Sequence, residues 1–447
     1  VATTAQWRKV KAHVVSVLCA ASVFILPGTI GAQQPGAVAG QQTPGQPPAR
    51  QTITLDQAVE EALRNNLDLL AERQNVPVAR AREIQAALRP NPALLLTWNY
   101  QNWLGTGVNT TNNAGPPEFN SQFNYIWETA GKRGKRIELA QLITSVTELR
   151  LLDSMRQLTL GVRQACVDYL LAQTNLELAR QNLSVFENIL KINDAKVKAG
   201  DLAGVELIRT RVALQQVQNA VQQAELKLQT ASNNLQQLLG RRSPGAPLDL
   251  MGKLNEELIT LDLPRLRDQA LSQRPDLLAL RKDVQRGNAD ARLQKAIGRP
   301  DITTGVLYNN QYGYASGQTL GLYASSDLPI FNRNQGEVAR AQRETRQVEM
   351  RSTALEAAIS TEVQNAWQQY MTARSLMERI RGSLLPEAQQ VREITQFSYL
   401  RGEASLLEFL DAQRAYNDAM QSFNDARADY TRSLYLIDAV IGKAVQP

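Results

Sequence analysis

"FNSQFNYIWETAGKRGKRIELA", residues 119 to 140, changes physical character at Trp127. Before it, Phe119, Phe123, Tyr125 and Trp127 alternate with Asn120, Gln122 and Asn124, the period of two of a strand with one apolar and one polar face. After it come Lys132, Arg133, Lys135 and Arg136, then a polar run without proline from Gly134 to Ala199. As a helix, at 1.5 Å per residue, that run is roughly 100 Å long and has no globular core to lie on. The basic cluster is no phosphate loop. Ile126 and Thr129 stand where the first glycine is required, and Arg133 or Arg136 follows in place of Ser or Thr.

The same alternation is found upstream, where Leu94, Leu96, Trp98 and Tyr100 oppose Leu95, Thr97, Asn99 and Gln101. Strands are expected at about 93–103, 119–127, 302–312 and 319–330. Between Asn91 and Trp127 the only charged residue is Glu118, expected in the loop "GVNTTNNAGPPE". A soluble strand carries Lys or Glu on its solvent face; amides on one face and aromatics on the other suit an outer-membrane barrel. Four strands cannot close one, since small barrels need about eight. Three copies would supply twelve.

From Thr54 onward the chain reads as two weakly similar halves. "LRNNLDLLA" (63–71) resembles "LSQRPDLLA" (271–279), "VRQACVDYL" (162–170) lines up with "VQNAWQQYM" (363–371), and Gly240 with Gly442. The expected domains are a first repeat over 54–245, a linker over 246–262 and a second repeat over 263–447. A second proline-free run spans Gly336 to Leu385. Narrow apolar stripes such as Leu151, Met155, Leu158 and Val162 fit coiled-coil contacts with neighbouring helices. The expected fold class is therefore mainly α with a small β part: long antiparallel helices in a trimeric α-barrel, plus four strands per chain in a twelve-stranded transmembrane β-barrel.

Ahead of these halves, Arg8, Lys9 and Lys11 precede an apolar run that ends near Pro27, as in a secretory signal over residues 1–32. Cys19 follows Leu18 rather than a small residue, so lipid attachment is not expected. Residues 33–53 read as a flexible tether. Removing the signal takes three of the 49 basic residues and none of the 43 acidic ones, leaving a net charge of +3. Nucleic acid is excluded as a partner on that balance. His13, the one histidine, leaves with the signal, and Cys166 remains as the one cysteine. Thiolate or imidazole zinc sites, Cys-His pairs and serine triads are thereby excluded, and carboxylate-only chemistry is the surviving enzyme option; no enzyme, metal site or cofactor is expected.

With its paired halves, strand pairs, long helices and the breaks "KAGDLAGVELIRTR" and "YLRGEASLLEFLDAQRAY", the chain resembles the TolC-like outer-membrane efflux protein family from about Thr54 to Gly442. "GKRGKRIELA" is similar to the CzcC-type branch of heavy-metal efflux systems. The resemblance implies a homotrimeric channel coupled to a periplasmic adaptor and an inner-membrane RND pump, conducting metal cations or drugs. It also makes Gly200, Asp201, Leu202 and Ala203, with Arg401, Gly402, Glu403, Ala404 and Ser405, helix turns that face the adaptor. Glu408 and Asp411 match acidic residues of the family's aperture, and Tyr399 matches a gate tyrosine. Ala404 stands where drug-efflux relatives carry arginine. Trp127, Lys132, Arg133, Lys135, Arg136 and Arg333 are expected to anchor the strand ends at the lipid head groups. The competing readings are a trimeric adhesive stalk on a barrel anchor, which does not require the duplication, and a carboxylate hydrolase, for which no pocket pattern is seen.

Overall fold

The computed structural model describes residues 51–99, 117–242, 248–312 and 316–443. The expected signal, residues 33–50 of the tether and positions 100–103 of the first strand lie outside the described residues. The first half runs β1 (Gln51–Thr54), α1 (Leu55–Asn65), α2 (Leu67–Arg73), α3 (Asn75–Ala87), β2 (Ala93–Asn99), β3 (Glu118–Trp127), α4 (Lys132–Ala199) and α5 (Gly204–Leu238). The second runs β4 (Leu248–Met251), α6 (Leu263–Gln273), α7 (Pro275–Ile297), β5 (Ile302–Gln311), β6 (Gly317–Ser326), α8 (Gln335–Arg379), α9 (Leu385–Arg401) and α10 (Leu406–Val440).

Helix ends in the two halves use the same backbone geometry. Asn66 sits at φ −62°, ψ 123° between α1 and α2, and Arg274 at φ −63°, ψ 123° between α6 and α7. Asn66 reaches that conformation as an N-cap, its side chain accepting from Leu69 N–H at 3.0 Å; Arg274 is held there by the following Pro275. Onto each break docks the far end of a long helix pair. Gly240 (φ +77°) lies so close that a Cβ would stand 2.2 Å from the Asn65 carbonyl oxygen, and one on Gly442 (φ +72°) would stand 2.9 Å from Arg274. Only glycine combines the left-handed backbone with that approach.

α4 runs unbroken for 68 residues. Its counterpart passes from α8 through a five-residue π-helical turn, Ile380–Leu384, directly into α9. The wider turn lets the helix continue across Pro386, whose ring and missing N–H would otherwise stop it.

β2, β3, β5 and β6 form one antiparallel sheet in that order, and the β3–β5 pairing joins the two halves. Its register stacks Leu94, Phe123, Val306 and Leu322 on one face and places Asn124, Gly305 and Tyr323 in a row on the other. On the amide face Gln122 donates to the Tyr323 hydroxyl, which donates in turn to Asn124. Gly305 leaves room for that ring, since a Cβ there would be 2.5 Å from it. The last strand ends at Ser326 rather than 330. Leu328 and Ile330 lie beyond it with Phe331, which is 90% exposed.

Two further expectations are corrected. Residues 51–53 of the tether and 248–251 of the linker pair as parallel strands β1 and β4, burying Leu248 and Leu250. Four-residue segments are too short to show a period. Residues 254–259 of the linker are strapped down: Leu254 is buried, Ile259 N–H donates to the Tyr430 hydroxyl at 3.0 Å, and Tyr430 donates to Glu257 O at 2.8 Å.

Two apolar clusters form the core. One joins Val162, Cys166 and Leu170 of α4 to Leu235 of α5, Ala62 of α1 and Ala428 of α10. The other joins Ile359, Tyr370 and Met377 of α8 to Leu277 of α7 and to Phe423 and Tyr430 of α10. Burial pushes the Cys166 thiol up to about 12, so it packs as a small apolar group. Toward the helix turns, α4 and α10 are linked by amides instead, Asn424 to Asn175 at 2.9 Å and Gln413 to Asn182 at 3.0 Å.

Candidate functional site

Both helix turns are built by glycine. Gly200 (φ +86°) and Gly402 (φ +83°) end α4 and α9 in the left-handed region. Asp201 N–H returns to Lys196 O at 2.9 Å and Gly200 N–H to Val197 O at 3.1 Å. Glu403 and Gly402 repeat the pair on Ser398 O at 2.8 Å and Tyr399 O at 3.1 Å, so both turns are Schellman motifs. Leu202 is half-buried, Asp201, Ala203 and Ser405 are exposed, and Ala404 packs on the small cluster below. The Arg401 guanidinium stands 4.0 Å from the centre of the Phe397 ring.

Beneath the turns, Ile189, Tyr399, Leu406 and Phe409 form that cluster. Tyr399 donates to Asn193 Oδ1 at 2.7 Å, Asn193 Nδ2 donates to Thr210 Oγ1 at 2.8 Å, and Phe409 stacks on Tyr399 at 5.3 Å between centroids. One buried chain of contacts thus ties α9, α4, α5 and α10. Burial raises the Tyr399 hydroxyl's pKa, partly opposed by its bond to Asn193. Asn193 and Thr210 were missed by the sequence reading, because one amide and one hydroxyl in long Gln/Asn-rich helices carry no signal until packing buries them.

Glu408 and Asp411 both lie on the exposed side of α10. Glu408 closes a capping box: its Oε2 accepts from Ser405 N–H at 2.7 Å and from Ser405 Oγ at 2.9 Å, while Glu408 N–H donates to Ser405 Oγ at 3.3 Å. These bonds hold its carboxyl below the usual range, led by the Ser405 backbone N–H. The carboxylate is turned back to the helix start, whereas exposed Asp411 has no ion pair among the described residues.

At the other end, the basic cluster is a joint, which corrects the head-group reading for its central members. Lys132 is buried, ion-paired to Asp301 at 2.8 Å and bonded to Arg299 O at 2.8 Å. Burial would raise the Asp301 carboxyl, but Lys132 and the Thr129 N–H outweigh it and hold it low. Arg136 pairs with Glu128 and donates to Leu88 O at 3.3 Å. Arg133 donates to Ala87 O at 2.7 Å and Lys135 to Ala130 O at 2.6 Å. Lys132 and Arg136 are thereby tied to the carboxylates at the strand ends, while Arg133 stays exposed beside the α3 end. In the second half Arg333 bonds Pro329 O at 3.2 Å, and Asn334 Nδ2 bonds Gln294 O at 2.9 Å. Trp127 is exposed and donates to Thr304 Oγ1 at 2.8 Å.

Among the described residues no group of His, Cys, Asp or Glu is placed to hold a metal, and no helix is long and apolar enough to cross a membrane. A two-faced sheet with almost no charge, continuous with glycine-turned helix pairs, is the build of a channel-forming outer-membrane protein. The family model for outer membrane efflux proteins matches residues 58–241 and 266–443, and the chain belongs to that family. It is 24% identical over 391 residues to the cobalt-zinc-cadmium resistance protein CzcC of Cupriavidus metallidurans, spanning 88% of this chain and 90% of the relative. To the pyoverdine export outer membrane protein OpmQ of Pseudomonas aeruginosa it is 22% identical over 404 residues, 85% and 84% of the two chains. The Campylobacter jejuni CmeC outer membrane channel shares the fold with a TM-score of 0.72 at 18% identity, covering 87% and 85%. CusC does so with 0.71 at 20%, covering 87% and 92%. The protein is an outer-membrane efflux channel component, and its family consists of channels rather than enzymes.

Proposed function

We propose that three copies of this chain form the outer-membrane duct of a tripartite RND-type efflux system, receiving substrate from a periplasmic adaptor and an inner-membrane pump. The observation that carries this reading is the sheet's pair of open edges: β2 pairs only with β3, and β6 only with β5, among the described residues. Joining β6 of one copy to β2 of the next leaves no edge when three copies close twelve strands. The helices support the same assembly. On α5 the positions Val205, Ile208, Val212, Gln215, Asn219 and Gln222, and on through Leu226 to Asn233, are spaced alternately by three and four, all exposed and all uncharged. That is a coiled-coil seam awaiting a neighbour. Near the same end α9 exposes Val391, Ile394 and Phe397.

In this assembly the amide face of the sheet lines the lumen. Trp127, Leu328, Ile330 and Phe331 form the membrane-level girdle in place of the cations. The turns Gly200–Ala203 and Arg401–Ser405 face the adaptor, Tyr399 holds the closed tip, and Asp411 with Glu408 faces the aperture. Similarity to CzcC favours metal cations over drugs as the conducted species. Light scattering in detergent should give three chains, and planar bilayers a steady single-channel current. A stalk passes none. Glu408→Ala with Asp411→Ala should lower the cation preference, and unchanged reversal potentials would remove both from the aperture.

A further inference from the structure

Residues 91–127 and 302–326, which contain all four strands of the sheet, hold a single Asp, Glu, Lys or Arg: Glu118. It was expected in a loop. The structure makes it the first residue of β3, in register with Asn99 and Gln311, and its Oε1 accepts from Gln311 Nε2 at 2.7 Å. By strand alternation it shares the amide face with Asn120, Gln122 and Asn124. Its row is the last described row of the β3–β5 ladder, nine residues from Trp127 at the helix junction, or about 30 Å along the strand. At the junction Asp301 is paired with Lys132 and Glu128 with Arg136, while exposed Asp327 follows β6. At the far end no cation stands in the neighbouring strand positions.

We infer that Glu118 is the specificity-determining charge of the exit: three copies form a carboxylate ring at the outer mouth that makes efflux through the barrel prefer cations. This rests on the lumen reading of the amide face. A ring of fixed charge in a low-dielectric wall focuses the field on passing ions, and nothing else in the barrel segments opposes it. The neutral amides around it supply dipoles without charge, so selectivity at this end depends on one side chain.

The test is reversal potential across a KCl gradient in planar bilayers for the full-length protein and for Glu118→Gln. The variant should keep its conductance and lose roughly twofold or more of its potassium-over-chloride permeability ratio. The loss should grow on dilution, as the Debye length lengthens from about 10 Å at 0.1 M to about 30 Å at 0.01 M. As a second readout, Glu118→Cys is treated from the outer side with thiol reagents carrying either charge. The negative group should restore the preference and the positive group reverse it, with buried Cys166 unreactive. An unchanged ratio in Glu118→Gln with current intact overturns the inference while leaving the channel standing. No current in the unaltered protein overturns the duct itself.

Discussion

At the turn between α4 and α5, Gly200 reverses the chain at φ +86° and Ala203 leaves α5 without a side-chain cap. At the turn between α9 and α10, Gly402 does the same at φ +83°, but Ser405 and Glu408 close a capping box. The starts of the long helices differ in the same way. Gly131 and Asn334 both sit in the left-handed region, yet one is followed by Lys132 buried against Asp301 and the other bonds Gln294. The two halves therefore share backbone geometry and differ in the side chains that secure it. What repeats is what the fold needs, and what differs is where each half has acquired its own role.

Substitutions at the shared glycines should break the comparison most severely. Gly240→Ala places a Cβ 2.2 Å from a carbonyl oxygen and Gly442→Ala one 2.9 Å from backbone, whereas Gly200→Ala meets nothing within 4 Å. Thermal unfolding in detergent should show losses in that order. Gly240→Ala should lose about 3 kcal/mol or more and Gly200→Ala about 1 kcal/mol of left-handed strain alone. Equal losses at all three would mean that the docking onto the α1–α2 and α6–α7 breaks contributes nothing.

The junctions come next. Lys132→Met leaves Asp301 unpaired and should cost about 2 kcal/mol, less than a fully buried pair because the Asp301 side chain is 30% exposed. Asp301 has a folded pKa below its unfolded value of about 3.9, so its contribution is present above that pH and is lost as pH falls through the folded value. Unfolding temperatures followed from pH 6 to 3 should drop in the unaltered protein and flatten in Lys132→Met. Asn334→Ala in the second half keeps that drop, and the loss it causes should be the same at every pH in the range, since its partner Gln294 does not titrate.

The smallest effect sharpens the comparison by making the turns alike. Ala203→Ser with Glu206 already three residues on recreates the capping box of Ser405, and should stabilise α5 by about 1 kcal/mol or less. Slower hydrogen exchange at the amides of residues 203–206 would record it. No slowing would mean that the first turn is held open by contacts the second lacks.

Much of this was legible beforehand. The alternation from Phe119 to Trp127, the proline-free runs and the paired glycines placed the strands, the long helices and both turns, because each is a local rule with a fixed period. The short parallel pair β1–β4 left no such period. The role of "GKRGKR" was misread because four adjacent cations look solvated until a carboxylate 169 positions away, Asp301, is brought to Lys132. Glu408 was legible as an acid on α10, but which way its carboxylate turns depended on Ser405 being the N-cap.

From its sequence alone the protein was determined to be a duplicated, mainly helical chain with a nearly charge-free strand section, since periodicity, proline and charge act over neighbouring residues. Only the tertiary structure decided which polar groups are spent on holding it together and which remain to meet an ion. Lys132, Asn193 and Tyr399 are taken up by partners far along the chain, while Glu118 and Asp411 meet no cation among the described residues, because burial and pairing are set by where distant segments pack.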